Sequence, residues 1–554
     1  MSRPYAPAAA LADRFLDARV VSRIWDRDLS VWGAKDGSAD GRSIQTRLGW
    51  LDVGSTMSGE IGRVSRLAAD VAAEGCTAVY LLGMGGSSLC AEVLRAVSGI
   101  APGSPELFVL DTTDELTIAS AAGRLEPSRS VFLVSSKSGG TVEVASLERF
   151  FWSQMTAALG ERASHHFIAI TDPDTALQKL AGTKKYREVF INPADIGGRF
   201  SALSLFGLVP CGLIGSDPAR LLAAGAAMAE GCRQENRTNP GLELGAYIGA
   251  AALEGRDKLT LVLPPSLASL GLWIEQLVAE STGKHGKGAL PVVDEPLGRP
   301  DEYGDDRAFV AMATDRDHPD KDRLDALEAA GHPVLRLSTR IDGLGAEFFR
   351  WEFATAVAGA ALGINPFDEP NVAEAKEKTK ALLSAYSSSG RLPESSPIAT
   401  TGRIDAYTPT FSGTSVDAIV SAALASLTPK DYVAVLSYLP QLSEVETRVG
   451  EIRMGIRATH RTASTFGVGP RYLHSTGQYH KGGPNTALAF LITGEDESST
   501  EIPEAGYSFS VLKRAQALGD AETLAAHKRR IVRLHVQRGG SIEDVEAVFA
   551  RALR

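Results

Sequence analysis

Val131-Phe132-Leu133-Val134-Ser135-Ser136-Lys137-Ser138-Gly139-Gly140-Thr141 is an apolar run that breaks into hydroxyls, one ammonium and two glycines. Four consecutive apolar residues bounded by such a turn predict a buried strand of a parallel sheet. A strand ending in this kind of loop is a place to hold a phosphate. Backbone N–H groups and hydroxyls converge there, and a following helix aims its positive end inward. A Ser/Gly-rich turn without a ligand has the same composition, so both readings stay open on this segment alone.

The same pattern repeats on either side. Thr77–Leu82 predicts a strand running into Gly83-Met84-Gly85-Gly86-Ser87-Ser88 and a helix from Leu89. Leu107–Leu110, His166–Ile170 and Val189–Asn192 are further strands. The alternation restarts at Lys258–Leu263, followed by a helix over Leu267–Ser281 and strands at Leu290–Val293, Phe309–Ala313 and Pro333–Leu337. Tyr432–Leu436, Arg471–His474 and Ala487–Ile492 are later strand candidates. Residues 8–50 read as helices anchored by Trp25, Trp32 and Trp50, an arm without site chemistry. From Leu512 the chain reads as helical, with His527–Arg538 a basic, solvated amphipathic segment. Strands alternating with helices indicate α/β architecture, parallel sheets with helices on both faces. The expectation is two tandem doubly wound domains, at 51–215 and 216–514, with helical extensions at 1–50 and 515–554.

The chain has 554 residues, enough for several full cores. Its formal net charge of −10, with no basic stripe, argues against a nucleic-acid partner. Cys76, Cys90, Cys211 and Cys232 are widely spaced and form no CxxC, so they read as reduced, buried thiols and not as a metal site. Met1–Val20 is interrupted by Asp13, Arg14 and Asp17 and lacks an export core. No apolar run approaches the ~20 residues of a membrane helix. The expected location is cytoplasmic.

Gly83 and Gly85 also match the start of GxGxxG, with Asp111 where a ribose-binding acid belongs. Ser88 occupies the third glycine position, which weakens that dinucleotide reading. Two hydroxyl-rich loops on neighbouring strands instead fit one phosphate held from both sides, with Lys137 as point charge. Gly197-Gly198-Arg199 lets backbone approach a ligand and presents a guanidinium. Gln276 and Glu280 share one helix face at i, i+4. Glu280 sits in the last turn, where the dipole disfavours a carboxylate and raises its basicity.

Gly83-Met84-Gly85-Gly86-Ser87, Ser136-Lys137-Ser138, Gly197-Gly198-Arg199-Phe200-Ser201 and Glu280-Ser281-Thr282-Gly283-Lys284 stand in the order found in phosphoglucose isomerases. The chain resembles that family over roughly 80–290, and more loosely over 430–515. His474-Ser475-Thr476-Gly477-Gln478-Tyr479-His480-Lys481-Gly482-Gly483-Pro484 is similar to the isomerase half of bacterial transaldolase–phosphoglucose isomerase fusions. Too few residues precede the first strand for a ~250-residue transaldolase barrel.

The resemblance implies two SIS (sugar isomerase) domains, a sugar-phosphate substrate, no cofactor or metal, and a homodimer with the site near its interface. It implies that Gly86, Ser87, Ser136, Lys137, Ser138 and Thr141 hold the phosphate, with Glu143 near the substrate. Glu280 would be the base moving a proton between C2 and C1, with Gln276 one turn behind it. Arg199 would stabilise the enediolate, and Lys513 would assist ring opening. The family's ring-opening histidine motif is absent after the glutamate segment, which leaves His480 or His474 for that role. The Gly-Val-Glu that precedes the family lysine is also missing before Lys513. A non-catalytic phosphosugar-binding regulator and an isomerase of another phosphosugar are the alternatives. The first would have no use for Glu280 and Arg199.

Overall fold

In the computed structural model, which describes residues 5–554 (backbone only at 372 and 373), the strand read at 131–134 is the middle of a five-stranded parallel sheet. Its strands are β1 (Ala78–Leu82), β2 (Glu106–Leu110), β3 (Ser130–Ser135), β4 (Phe167–Thr171) and β5 (Glu188–Ile191), in the order β2-β1-β3-β4-β5. β1, β3 and β4 are buried throughout, which is why they read as unbroken apolar runs.

A second parallel sheet joins β6 (Lys258–Val262), β7 (Leu290–Val292), β8 (Arg307–Ala313) and β9 (Val334–Ser338) in the order β7-β6-β8-β9. A third holds β10 (Ala399–Thr401), β11 (Ile404–Tyr407), β12 (Tyr432–Ser437), β13 (Ala463–Val468), β14 (Ala487–Gly494) and β15 (Arg530–Val536). Its order is β10-β11-β15-β14-β12-β13, with β10 and β11 antiparallel at the edge. The mixed α/β class with parallel sheets is as expected, and the stretch 216–514 supplies strands to two of the three sheets.

Each sheet places its first parallel strand between its second and third. Ligands in such sheets bind outside the strand C-termini, where the chain order reverses. In the first sheet that point lies between β1 and β3. The Gly83–Ser88 loop and the Ser135–Thr141 loop both open there.

Three later readings differ from the structure. Residues 530–536 are not a solvated helix but an inner strand between β11 and β14. Val532, Leu534 and Val536 recur with period two and are buried, and Ile531 is buried on the opposite face. The basic residues that suggested a wet surface are held by partners: Arg533 by Glu394 (2.7 Å) and Arg530 by Asp431 (3.0 Å). Arg471–His474 is a short 3₁₀ turn, fixed by Arg471 on Asp111 and by the Tyr472 hydroxyl donating to Asp520 (2.6 Å). Ala463–Val468 is a strand that the sequence reading passed over.

The N-terminal arm packs on helix α5, whose range is Leu344–Leu362. Trp25 stacks on Phe349 and Phe353, and the Trp32 indole N–H donates to the Ala356 carbonyl (2.9 Å). Around the sheets lie α1 (Leu89–Ser98), α2 (Val142–Leu159), α3 (Pro240–Leu253), α4 (Leu270–Thr282), α6 (Val372–Ser389), α7 (Ser443–His460) and α8 (Phe509–Ala526), of which α2, α4, α6 and α8 carry side chains of the site. α3 and α5 pack together in the largest core, while α4 ends at the site. No described helix is long and apolar enough to cross a membrane.

Placing β15 inside a sheet has a measurable consequence. Backbone amides of 531–536 are expected among the slowest to exchange with deuterated solvent, at protection set by global unfolding. A surface helix would exchange them by local fraying, and fast exchange there would contradict the strand.

Candidate active site

Gly85 and Gly86 decide how closely the site assembles. Gly85 has φ of +53°, and a Cβ there would lie 2.8 Å from Gln276 Nε2 and 2.9 Å from the His474 carbonyl oxygen. A Cβ on Gly86 would fall 2.0 Å from the Gly198 carbonyl oxygen. Only glycine permits both the left-handed backbone and these approaches. The loop after β1 thereby touches Arg199, α4 and the 471–474 turn at once.

Arg199 is almost fully buried. Its Nε donates to Ser281 Oγ (2.7 Å), and Nη2 donates to the carbonyls of Pro366 and Asp368 (2.8 Å each). Nη1 donates to Glu369 Oε2 (3.0 Å) and lies 3.6 Å from Glu280 Oε1. Gln276 Nε2 donates both to Glu280 Oε2 (3.1 Å) and to the His474 carbonyl (2.8 Å). The i, i+4 pair on α4 thus bridges the carboxylate and the 471–474 turn. Burial pushes the Glu280 carboxyl above the usual carboxylate range, against the pull of Arg199 and with a push from Glu369.

His474 Nε2 is 3.0 Å from Glu143 Oε1, and Gln516 Nε2 donates to the same oxygen (2.7 Å). Burial pushes the Glu143 carboxyl up, but His474 outweighs it and holds Glu143 below its ordinary value. Thr113 Oγ1 donates to Gln516 Oε1 (2.9 Å), which fixes the orientation of that amide. Glu143, His474 and Gln516 border a cavity of about 560 Å³. Its wall runs from Gly140 and Thr141 ahead of α2 and Glu143 on it to His474 and Gln516, and across to α6.

In the expected phosphate loop, Ser136 Oγ and Thr141 Oγ1 lie 3.1 Å apart, and Ser138 and Gly140 are exposed. No side chain caps the N-terminus of α2, which leaves its first N–H groups available to an anion. Ser87 is buried, and its carbonyl accepts from Ser135 Oγ (2.8 Å), tying the two loops together. Lys137 is ion-paired with Asp172 and also donates to the Ala194 carbonyl (3.2 Å). Lys137 braces the loop from behind and is not on the cavity wall.

Two expected catalytic residues lie elsewhere. Lys513 is clamped between Asp114 (3.0 Å) and Asp496 and lines a separate, smaller cavity. Burial pulls its ammonium down, but the two carboxylates outweigh that and hold it above its ordinary value. One turn further along α8, Gln516 is the residue that reaches the site. His480 is buried under β12, with Nδ1 2.8 Å from the Tyr432 hydroxyl. Burial, with Lys481 and Arg529 nearby, pushes its imidazole down to about 3. The histidine on the cavity wall is His474, and the lysines there are Lys376 and Lys380 of α6.

Sequence reasoning missed Lys376, Glu369 and Gln516. One signal was present for the lysine. Val372, Glu374 and Lys376 echo a valine and a glutamate ahead of a lysine better than the residues before Lys513 do.

Asp111, the acid of the dinucleotide reading, is bound by Arg471 through two hydrogen bonds (2.7 and 2.8 Å). Among the described residues, no group of three or more His, Cys, Asp or Glu is placed to hold a metal.

The phosphoglucose isomerase family model matches residues 68–295, a span that includes the β1 loop, the Ser135–Thr141 loop, Arg199 and Glu280. A glucose-6-phosphate isomerase of Acetivibrio thermocellus is 32% identical over 394 residues, covering 61% of this chain and 87% of that protein. The chain belongs to the phosphoglucose isomerase family. A glucose-6-phosphate isomerase of Rubrobacter xylanophilus is 30% identical over 370 residues, covering 56% of this chain and 84% of that protein. In fold, the chain is similar to the crystal structure of a glucose-6-phosphate isomerase from Chlamydia trachomatis. The TM-score is 0.54 at 18% identity, over 69% of this chain and 86% of that one.

The close approach at Gly86 is testable. Gly86→Ala drives a methyl into the backbone at Gly198, and the loop carrying Arg199 has to move. The substitution is expected to cost about 1–3 kcal/mol of unfolding free energy by overpacking and to weaken sugar-phosphate binding. Unchanged urea midpoint and affinity would show that the two loops are not locked together.

Proposed function

We propose that this chain is a cofactor-independent aldose–ketose isomerase that interconverts glucose 6-phosphate and fructose 6-phosphate. The observation that carries the reading is the buried Arg199–Glu280–Gln276 cluster next to a phosphate-type loop, in a chain of this family. A regulator that only bound phosphosugars would have no use for a buried carboxylate of raised basicity beside a guanidinium.

The phosphate is held by Ser136, Ser138 and Thr141 and by the open N–H groups of α2, with Ser87 and Gly86 on the facing loop. Lys137 keeps that loop in shape. Ring opening falls to His474, oriented by Glu143, together with Lys376. These two take the places first expected for His480 and Lys513. Glu280 removes the C2 proton, an enediolate forms, and the same carboxyl returns the proton at C1. Arg199 offsets the developing negative charge. A homodimer is the expected assembly on family resemblance, and the cytoplasm is the expected location.

Losing a general base costs ~10²–10⁴ in rate. Glu280→Gln is therefore expected to lower kcat by that order while fructose 6-phosphate still binds, as read by coupled turnover and calorimetry. Wild-type turnover in this variant would remove Glu280 from the role of base. Because Glu280 works ionised and its carboxyl sits high, kcat/KM is expected to fall with acidification above the ordinary carboxylate range.

The two lysines separate cleanly. Lys376→Ala, at an exposed position on the cavity wall, is expected to slow turnover without lowering the melting temperature. Lys513→Ala strands buried Asp114 and takes a partner from half-buried Asp496, and is expected to cost about 3–5 kcal/mol of stability. The reverse pattern would return the ring-opening role to Lys513.

A further inference from the structure

We propose that Glu369, braced by Arg47 of the N-terminal arm, is a positioning residue that holds Arg199 off Glu280 and so keeps the base free. The inference rests on the isomerase reading for the role of Glu280, and it gives the N-terminal arm a part in the chemistry.

Four side chains of alternating charge run through the site. Arg47 Nη1 donates to Glu369 Oε2 (2.8 Å) and to the Phe367 carbonyl (2.6 Å). The same Glu369 oxygen accepts from Arg199 Nη1 (3.0 Å). Arg199 Nη1 then faces Glu280 at 3.6 Å, beyond hydrogen-bond reach. The other Arg199 donors are committed to Ser281 and two carbonyls. The guanidinium therefore has one nitrogen to offer two carboxylates, and Glu369 takes the shorter contact.

A charge-assisted pair between Arg199 and Glu280 would stabilise the carboxylate and weaken it as a base. Sharing Arg199 prevents this, yet leaves the cation near enough to meet an enediolate. Arg47 is the element that makes the sharing tolerable, since a lone second carboxylate beside Glu280 would be repelled. The other groups facing Glu280 are Gln276 on its own helix and His474 from the 471–474 turn. On the Glu369 side, Lys284 Nζ holds Asp368 Oδ1 (2.6 Å) and the Asn365 carbonyl (2.6 Å). Lys284 is thus engaged with the 365–368 backbone and Asp368, not with Glu280.

The test is the pH profile of kcat/KM for fructose 6-phosphate in wild type, Glu369→Gln and Arg47→Ala. Glu369→Gln removes a negative charge and lets Arg199 close on Glu280, so the acid limb is expected to move down by about half a pH unit or more. Arg47→Ala leaves Glu369 less neutralised and draws Arg199 toward it, so the acid limb is expected to move up. Opposite displacements are the signature, because general damage to packing would not move the two limbs in opposite senses. Glu369→Asp and Arg47→Lys keep the charges and are expected to keep the wild-type limb, which covers the case of a poorly folding variant. Displacement in one direction by both variants, or by neither, overturns the proposal. If wild type does not turn over the sugar phosphate, the isomerase reading fails. The ¹³C titration of the Glu280 carboxyl without substrate, identified by its loss in Glu280→Gln, then decides the electrostatic claim with the same two variants.

Discussion

The clamping of residues 365–369 by three cations is the constraint on which the site depends. Arg47 comes from the N-terminal arm, Arg199 from the turn after β5, and Lys284 from the end of α4. Each donates to backbone carbonyls of this short stretch as well as to a carboxylate. Backbone carbonyls left unpaired in a buried setting carry a large desolvation cost. Three elements from distant parts of the chain are thus pulled to one place for reasons of satisfaction alone. Arg199 and Glu280 meet as a result. The arrangement of Arg199 and Glu280 follows from a folding requirement.

The second constraint is steric. Gly85 and Gly86 let the β1 loop touch the backbone at Gly198 and the side chain of Gln276, and no other residue type fits both positions. The order of strands in the first sheet puts this loop beside the Ser135–Thr141 loop, at the point where connections leave in opposite directions. A phosphate bound there is within reach of α2 on one side, with Arg199 and α4 on the other. These loops are joined through the glycine contacts, the Ser135–Ser87 hydrogen bond, Ser201 on the Gly86 carbonyl and Lys137 on the Ala194 carbonyl.

Much of this was legible in the sequence, for identifiable reasons. β1, β3, β4 and the helix carrying Gln276 and Glu280 are local patterns, and their spacing alone predicts them. Arg199 and the hydroxyl loop were visible because glycines mark close backbone approach. The failures are all non-local. β15 was read as a wet helix because its arginines are charged, and only tertiary partners such as Glu394 and Asp431 show why such a strand can lie inside a sheet. Lys513 and Gln516 sit on the same helix one turn apart, and nothing in their order says which faces the cavity. His480 and His474 share one polar segment. Burial against Tyr432 separates them, and no local pattern encodes that. Arg47 looked like part of a packing arm because its target lies more than three hundred residues away.

The distribution of charge gives a physical reason for the choice of an anionic substrate. Several deep groups are neutralised in place: Lys513 by two aspartates, Lys137 by Asp172, and Glu369 by two arginines. A ligand entering the cavity gains little from these, since their fields largely cancel at a distance. The lysines on the exposed wall, Lys376 and Lys380 of α6, are different, because water and not a buried partner surrounds them. A dianionic phosphate at the mouth of α2 meets their field and the open N–H groups of the helix together. Glu280 is a deep carboxylate whose basicity is raised, and its nearest cation is shared with another acid. An acidic chain of net charge −10 can therefore bind an anion and still keep a strong base beside it.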